Sequence, residues 1–243
     1  MDLSGKVAIV TGAAVRLGKA IALGLAQSGC RIAVHYGNSA EAAQQCVQEI
    51  NSLGIDCIAI QADFNAPVSA AQHVVQETIA HFGTADILIN NAAIFESSRF
   101  GSTTEELWDS HFDINLKTPY FLSSEFANAI SAGQPGHIIN IVDWRATRPD
   151  VNFLPYSLTK SALLTLTRGL AQQLAPNIQV NAIAPGAILP PPGASADYLE
   201  QLAENIPLAK VGSAAEIVAS VLFLLQSEFI TGEILNVSGG QHL

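Results

Sequence analysis

Short β-branched apolar runs alternate with longer amphipathic stretches from one end of the chain to the other. Seven runs read as strands, over 6–11, 31–36, 57–61, 86–90, 137–142, 178–184 and 233–237. The intervening stretches read as helices over 17–29, 40–53, 67–82, 105–130, 155–174 and 214–225. Near-continuous apolar strands separated by helices are the pattern of a sheet covered on both faces. The pattern predicts an α/β fold with a doubly wound parallel sheet. Right-handed crossovers then bring the segment after each strand to one edge, where ligands bind.

No repeat, low-complexity linker or break in composition divides the chain, so residues 1–243 are expected to form a single domain. The irregular region is 185–205, where Pro190-Pro191-Pro192-Gly193 fits neither a helix interior nor a central strand. Its place after the sixth strand predicts a substrate loop or lid.

Two features carry chemistry. Thr11-Gly12-Ala13-Ala14-Val15-Arg16-Leu17-Gly18 lies between the first strand and the first helix. Such a turn lets backbone approach a pyrophosphate and aims a helix N-terminus at it. Farther along, Tyr156 and Lys160 are four residues apart, which places them on one helix face. A lysine there is expected to stabilise the phenolate and lower the tyrosine pKa, fitting it for proton transfer. Asp143 precedes the tyrosine by thirteen residues. At the end of the second strand, His35-Tyr36-Gly37-Asn38-Ser39 holds no acid to select unphosphorylated ribose. Arg16 offers a planar fork of donors to a 2′-phosphate, and Asn38 and Ser39 add neutral hydrogen bonds. These residues favour NADPH.

Thr-Gly followed by Gly18, the segment Asn90-Asn91-Ala92, Tyr-x-x-x-Lys at Tyr156 and Lys160, and Pro185-Gly186 together resemble the short-chain dehydrogenase/reductases, over essentially the whole chain. Among these, Arg16 at the usual middle glycine, Asp143 at the usual catalytic serine, Phe95 and His35-Tyr36 resemble the pteridine reductases. The resemblance implies a Rossmann-like fold and assigns roles. Tyr156 supplies a proton, Lys160 holds the nicotinamide ribose, and Asn115 orders a water relay to the lysine. Gly12, Arg16, Leu17, Gly18, His35, Tyr36, Asn38, Ser39, Asp63, Asn91, Ala92, Pro185, Gly186 and Ile188 form the cofactor site. Arg16, Phe95, Asp143 and Tyr156 meet the substrate, with Phe95 as the aromatic plate for a pterin ring. Trp144 and Arg145 are either contacts to a substrate tail or parts of an exposed loop.

Asp143 directs the substrate reading. A serine donates to a ketone oxygen, whereas an ionised carboxylate only accepts and raises the pKa of a neighbouring tyrosine. That suits a substrate with ring nitrogens, giving an NADPH-dependent reductase of a dihydropterin, an oxidised pterin or dihydrofolate. The alternatives are a carbonyl reductase acting on a 3-oxoacyl thioester and a non-enzymatic NADPH-binding protein. Ala93 and Pro190 depart from the family pattern, where a serine and a threonine are common.

Composition narrows the partners. Charged residues are only 13% against 49% hydrophobic, and the net charge is −10, which opposes binding to nucleic acid or an anionic membrane. The low charge, the segment Leu235–Gly240 and the helices over 105–130 and 155–174 suggest a homotetramer of the family type. Three cysteines without a Cys-x-x-Cys pair suit a reducing, cytoplasmic setting. The histidines are scattered and form no metal-ligand motif.

Overall fold

The structure, a computed structural model, describes residues 1–130, 133–190 and 198–243. Seven parallel strands form one sheet in the order β3-β2-β1-β4-β5-β6-β7. The strands are β1 (Val7–Val10), β2 (Arg31–Tyr36), β3 (Cys57–Gln61), β4 (Ile87–Asn90), β5 (Gly136–Ile141), β6 (Ile178–Pro185) and β7 (Ile234–Val237). The order reverses between β1 and β4, and the crevice beyond the strand ends at that switch is where ligands sit in such sheets.

The helices are α1 (Arg16–Gln27), α2 (Ala40–Ser52), α3 (Pro67–Phe82), α4 (Glu105–Phe112), α5 (Thr118–Ala129), α6 (Leu154–Leu174), α7 (Tyr198–Ala203) and α8 (Ala214–Gln226). One face of the sheet packs Ala8, Val10, Ile87 and Ile139 against Ile21 and Leu25 of α1 and Ile217 and Leu224 of α8. The other packs Ile9, Leu88 and Ile138 against Val74 of α3 and Leu122 and Phe126 of α5. Alternating residues of the same strands thus serve opposite cores, which is why the strands read as unbroken apolar runs. The three cysteines are free and buried, and burial pushes Cys30 and Cys57 up to about 12.

Two elements differ from expectation. The stretch 105–130 is two α-helices joined by a π-helical segment, Asp113–Lys117, which inserts a wider turn at Asn115. Apolar spacing continues through the insertion, so the sequence reads as one helix. The region 185–205 is not irregular throughout, because α7 lies inside it. The expected lid falls partly on 191–197, outside the described residues.

Candidate active site

The β1–α1 turn is held from three sides. Thr11 is fully committed: its Oγ1 accepts the Asn91 and Ala92 N–H groups at 2.8 and 2.9 Å and donates to the Ile89 carbonyl at 3.2 Å. Asn91 returns a bond from Nδ2 to the Thr11 carbonyl at 2.8 Å. Gly12 has φ +62°, and Gly18 sits so close to it that a Cβ there would lie 2.1 Å from the Gly12 carbonyl oxygen. Gly18 therefore presses α1 onto its own turn and onto Asn91.

Arg16 is left-handed too, with φ +54°, a conformation a side chain makes costly and that suits the glycine usual at this position. Its Nη2 donates to the Pro190 carbonyl at 2.9 Å, tying the turn to the segment after β6. The N-terminus of α1 carries no side-chain cap and no acid in its first turn, so its N–H groups remain available to an anion.

His35 requires a correction. It was expected at the cofactor, yet its ring is buried beneath the turn, stacked on Phe64 with centroids 3.9 Å apart. Nδ1 accepts the Gly12 N–H at 3.1 Å, which fixes the other tautomeric position, so Nε2 donates to the Ala62 carbonyl at 3.1 Å. Both ring nitrogens are occupied by backbone. Burial lowers its pKa to about 4, so the ring stays neutral and continues to accept. Tyr36 is half-buried at the end of β2, and Asn38 and Ser39 are exposed beyond it. Asp63 is also exposed, and its Oδ1 accepts Asn65 N–H bonds at 3.0 and 2.9 Å, an Asx turn.

The reacting groups meet between β5 and α6. The Tyr156 hydroxyl donates to Asp143 Oδ2 at 3.0 Å. Asp143 Oδ1 accepts the Arg145 backbone N–H at 2.8 Å and lies 3.4 Å from its Nη1. Lys160, one turn along α6, donates from Nζ to the Ile141 carbonyl at 2.8 Å. Burial, opposed by Arg145, Tyr156 and Lys160, raises the Asp143 pKa. Burial first, and then Asp143, hold Tyr156 well above its usual value. Burial lowers Lys160 to about 8, with Asp143 opposing. The expected lowering of the tyrosine by the lysine is thus reversed in the protein alone. Lys160 Nζ is turned to a carbonyl, 5.7 Å from the Tyr156 ring centre, while a carboxylate touches the hydroxyl.

These groups line a cavity of about 500 Å³. Of the residues expected in the site, it gathers Arg16, Leu17, Asn91, Phe95, Asp143, Tyr156, Lys160, Pro185, Gly186 and Ile188. Asn115 lies behind it, accepting the Ile94 N–H at 2.9 Å and donating to the Ile94 carbonyl at 3.0 Å. Phe95 is at the wall, but one face is taken: Phe153 stacks on it with centroids 4.1 Å apart, and Tyr156 meets it edge-on. Trp144 and Arg145, left open between substrate contact and loop, also line the cavity, and the 185–205 segment contributes to it; Gln241 was not foreseen. Tyr198 and Leu202 come from α7, and Gln241 comes from the C-terminal segment, where its Oε1 accepts the Ala187 N–H at 2.7 Å. Nothing local in the sequence signals Gln241. Phe153, three residues before Tyr156, could have been suspected from its aromatic character alone.

A glycine turn at the switch of a seven-stranded parallel sheet, opposite Tyr156 and Lys160 on one helix face, is the decisive arrangement. The family model described as "Enoyl-(Acyl carrier protein) reductase" matches residues 12–242. The chain belongs to the short-chain dehydrogenase/reductase family. Among curated relatives, the 3-oxoacyl-[acyl-carrier-protein] reductase FabG of Staphylococcus aureus is 34% identical, over 98% of each chain. Among solved structures, FolM alternative dihydrofolate reductase 1 from Brucella canis, complexed with NADP, superposes with TM-score 0.94 at 34% identity, covering 99% of this chain and 95% of that one. A short-chain dehydrogenase from Burkholderia cenocepacia, in complex with NADP, gives 0.92 at 35% identity over 100% of both chains. This short-chain dehydrogenase/reductase is an oxidoreductase. Among the described residues, no helix is long and apolar enough to cross a membrane.

Proposed function

We propose that the protein is an NADPH-dependent reductase of a pterin, in oxidised or dihydro form and including dihydrofolate. The observation that carries this reading is the hydrogen bond from the Tyr156 hydroxyl to Asp143 Oδ2. A ketone reductase needs a neutral donor beside its tyrosine. A carboxylate there keeps the tyrosine protonated and adds a second acceptor, which suits a substrate whose ring nitrogen takes up a proton. The likeness to FolM alternative dihydrofolate reductase 1 supports the same substrate class.

The residues present fit NADPH. The uncapped N-terminus of α1 and the close approach at Gly12 suit a pyrophosphate, and the acid-free Asn38-Ser39 segment leaves a 2′-phosphate unopposed, whereas Arg16, tied to Pro190, sits at the reaction cavity. The NADP complexes of the Brucella and Burkholderia proteins support this assignment. When bound, NADPH supplies the hydride. Lys160 binds the nicotinamide ribose, and Pro185, Gly186 and Ile188 seat the carboxamide. Asn115 fixes Ile94, and through it the approach to Phe95. Tyr156 holds the proton at its hydroxyl, and Asp143 keeps it there until a ring nitrogen, more basic than a carbonyl oxygen, takes it. Phe95 lies against the ring of the substrate.

A second reading, reduction of a 3-oxoacyl thioester, is favoured by the identity to FabG over nearly the whole chain. NADPH oxidation measured with a panel of pterins beside a β-ketoacyl thioester separates the two. Turnover of at least one pterin well above that of the thioester is expected. Efficient thioester reduction with no pterin turnover would overturn the proposal. The reading also includes a homotetramer, supported by an open apolar groove between α4, α5 and α6 lined by Phe112, Leu116, Tyr120 and Leu166. A monomeric mass by light scattering would refute that part.

A further inference from the structure

Asp143 has two oxygens, and only one meets Tyr156. The other is held by its neighbour but one. Arg145 donates its backbone N–H to Oδ1 at 2.8 Å and brings Nη1 to 3.4 Å from the same atom. The guanidinium is itself fixed. Its Nε donates to Asp150 Oδ2 at 3.4 Å, and Asp150 in turn accepts the Asn152 N–H at 3.0 Å and donates its own N–H to Ser157 on α6 at 3.3 Å. The group lies on the Trp144 ring and beside the stacked pair Phe95 and Phe153: its central carbon is 4.6 Å from the Trp144 ring centre, 5.2 Å from that of Phe95 and 5.8 Å from that of Phe153. One cation therefore touches both the carboxylate beside Tyr156 and the aromatic plate of the cavity.

We propose that Arg145 is a positioning residue: it anchors Oδ1 of Asp143, so that Oδ2 stays aligned on the Tyr156 hydroxyl while the aromatic wall is held in register with it. The proposal rests on the reading of Asp143 as the proton partner of Tyr156. A surface ion pair would contribute little, but this one is nearly enclosed, with 21% and 17% of the two side chains exposed. A lysine keeps the charge but lacks the planar fork, so it serves Asp143 or Asp150 less well at once.

The charge environment sets the sign of the test. Asp143 faces Arg145 and its amide from its own loop, and Tyr156 and Lys160 from α6; Asp150 reaches it through Arg145, and Arg16 lines the cavity opposite. Burial raises the Asp143 pKa and Arg145 is the largest opposing influence, so removing Arg145 moves the titration upward.

The test uses the full-length protein with Arg145→Met, which keeps an unbranched apolar stem and removes the guanidinium, and Arg145→Lys. The Asp143 carboxyl is followed by ¹³C NMR titration, assigned with Asp143→Asn. In Arg145→Met the titration is expected to rise by about one pH unit or more. The corresponding limb of the kcat/KM profile should move with it, kcat should fall, and NADPH affinity should stay within about twofold. Arg145→Lys should recover part of the shift. Should Arg145→Met fail to fold, Arg145→Gln carries the same expectation. An unmoved carboxyl titration, or a moved one with kcat and the pH profile of whichever substrate is reduced left intact, overturns the proposal. Absence of pterin turnover by the wild type sinks the pterin reading alone, because the carboxyl titration needs no substrate.

Discussion

The two ends of the cavity are built on different physics. At the β1–α1 turn the fixing contacts are made to backbone by neutral groups: Thr11 to Asn91 and Ala92, His35 to Gly12 and Ala62, and Gly18 packed on the Gly12 carbonyl. At the β5–α6 end the contacts join ionisable side chains, with Asp143, Tyr156 and Lys160 all shifted by burial first, and Asp143 acting on both of the others. A neutral, sterically set turn presents the same donors at any working pH. A buried charged cluster makes its proton transfer depend on every member. The first suits holding a cofactor and the second suits moving a proton.

The largest expected effect tests the charged end. Asp143→Ala should lower pterin turnover by about 10²–10⁴ while NADPH still binds, because a proton-transfer partner is lost. Steady-state kinetics beside a binding titration check this, with Tyr156→Phe as the control that impairs any reduction.

At the turn the contrast predicts steric failure. A Cβ at Gly18 would meet the Gly12 oxygen at 2.1 Å and Asn91 Nδ2 at 2.6 Å. Gly18→Ala should destabilise the protein by about 3 kcal/mol, at the upper end of ordinary overpacking, and weaken NADPH binding at every pH. Thermal unfolding with and without NADPH measures both.

The neutral histidines give a pH dependence of stability. His35 and His137 fall from 6.5 to about 4 on folding, chiefly through burial. The unfolded chain therefore binds more protons between those values, and the contribution is complete above pH 6.5 and lost as pH falls to about 4. His35→Phe should keep the stack on Phe64 and flatten part of that slope, although it also leaves the Gly12 N–H without its acceptor. Urea midpoints from pH 4 to 7 would show the change, and an unaltered slope would contradict the buried neutral ring.

The smallest effect concerns the phosphate. Asn38→Asp, which puts a carboxylate on the exposed segment after β2, should narrow the preference for NADPH over NADH by about 1 kcal/mol, the repulsion of two solvated charges. Comparison of the two dissociation constants checks it.

Much of this was legible in the sequence because it rests on local rules. The strands 31–36 and 57–61 match to the residue, since β-branched runs flanked by turn residues leave little choice. The glycine turn and the Tyr156–Lys160 pair follow from spacing on one element. What escaped depends on where side chains turn. His35 was placed at the right end of the right strand, but only the packing on Phe64 shows that its ring points beneath the turn. Arg145 was left between substrate contact and loop, because its partners Phe95 and Asp150 are joined only by the fold. The π-helical insertion at Asn115 and the helix α7 are invisible to apolar periodicity for the same reason.

Asp143→Ser tests the central claim most directly, with kcat/KM for a dihydropterin and for a β-ketoacyl thioester measured side by side in variant and wild type. The substitution returns the hydroxyl donor usual in the family and removes the acceptor now bonded to Tyr156. If the carboxylate fits the site to a pterin, the ratio of pterin to thioester activity falls by about 100-fold or more, as expected for a missing proton-transfer partner. A ratio that stays where it was would contradict the account, since the carboxylate would then have no part in choosing the substrate.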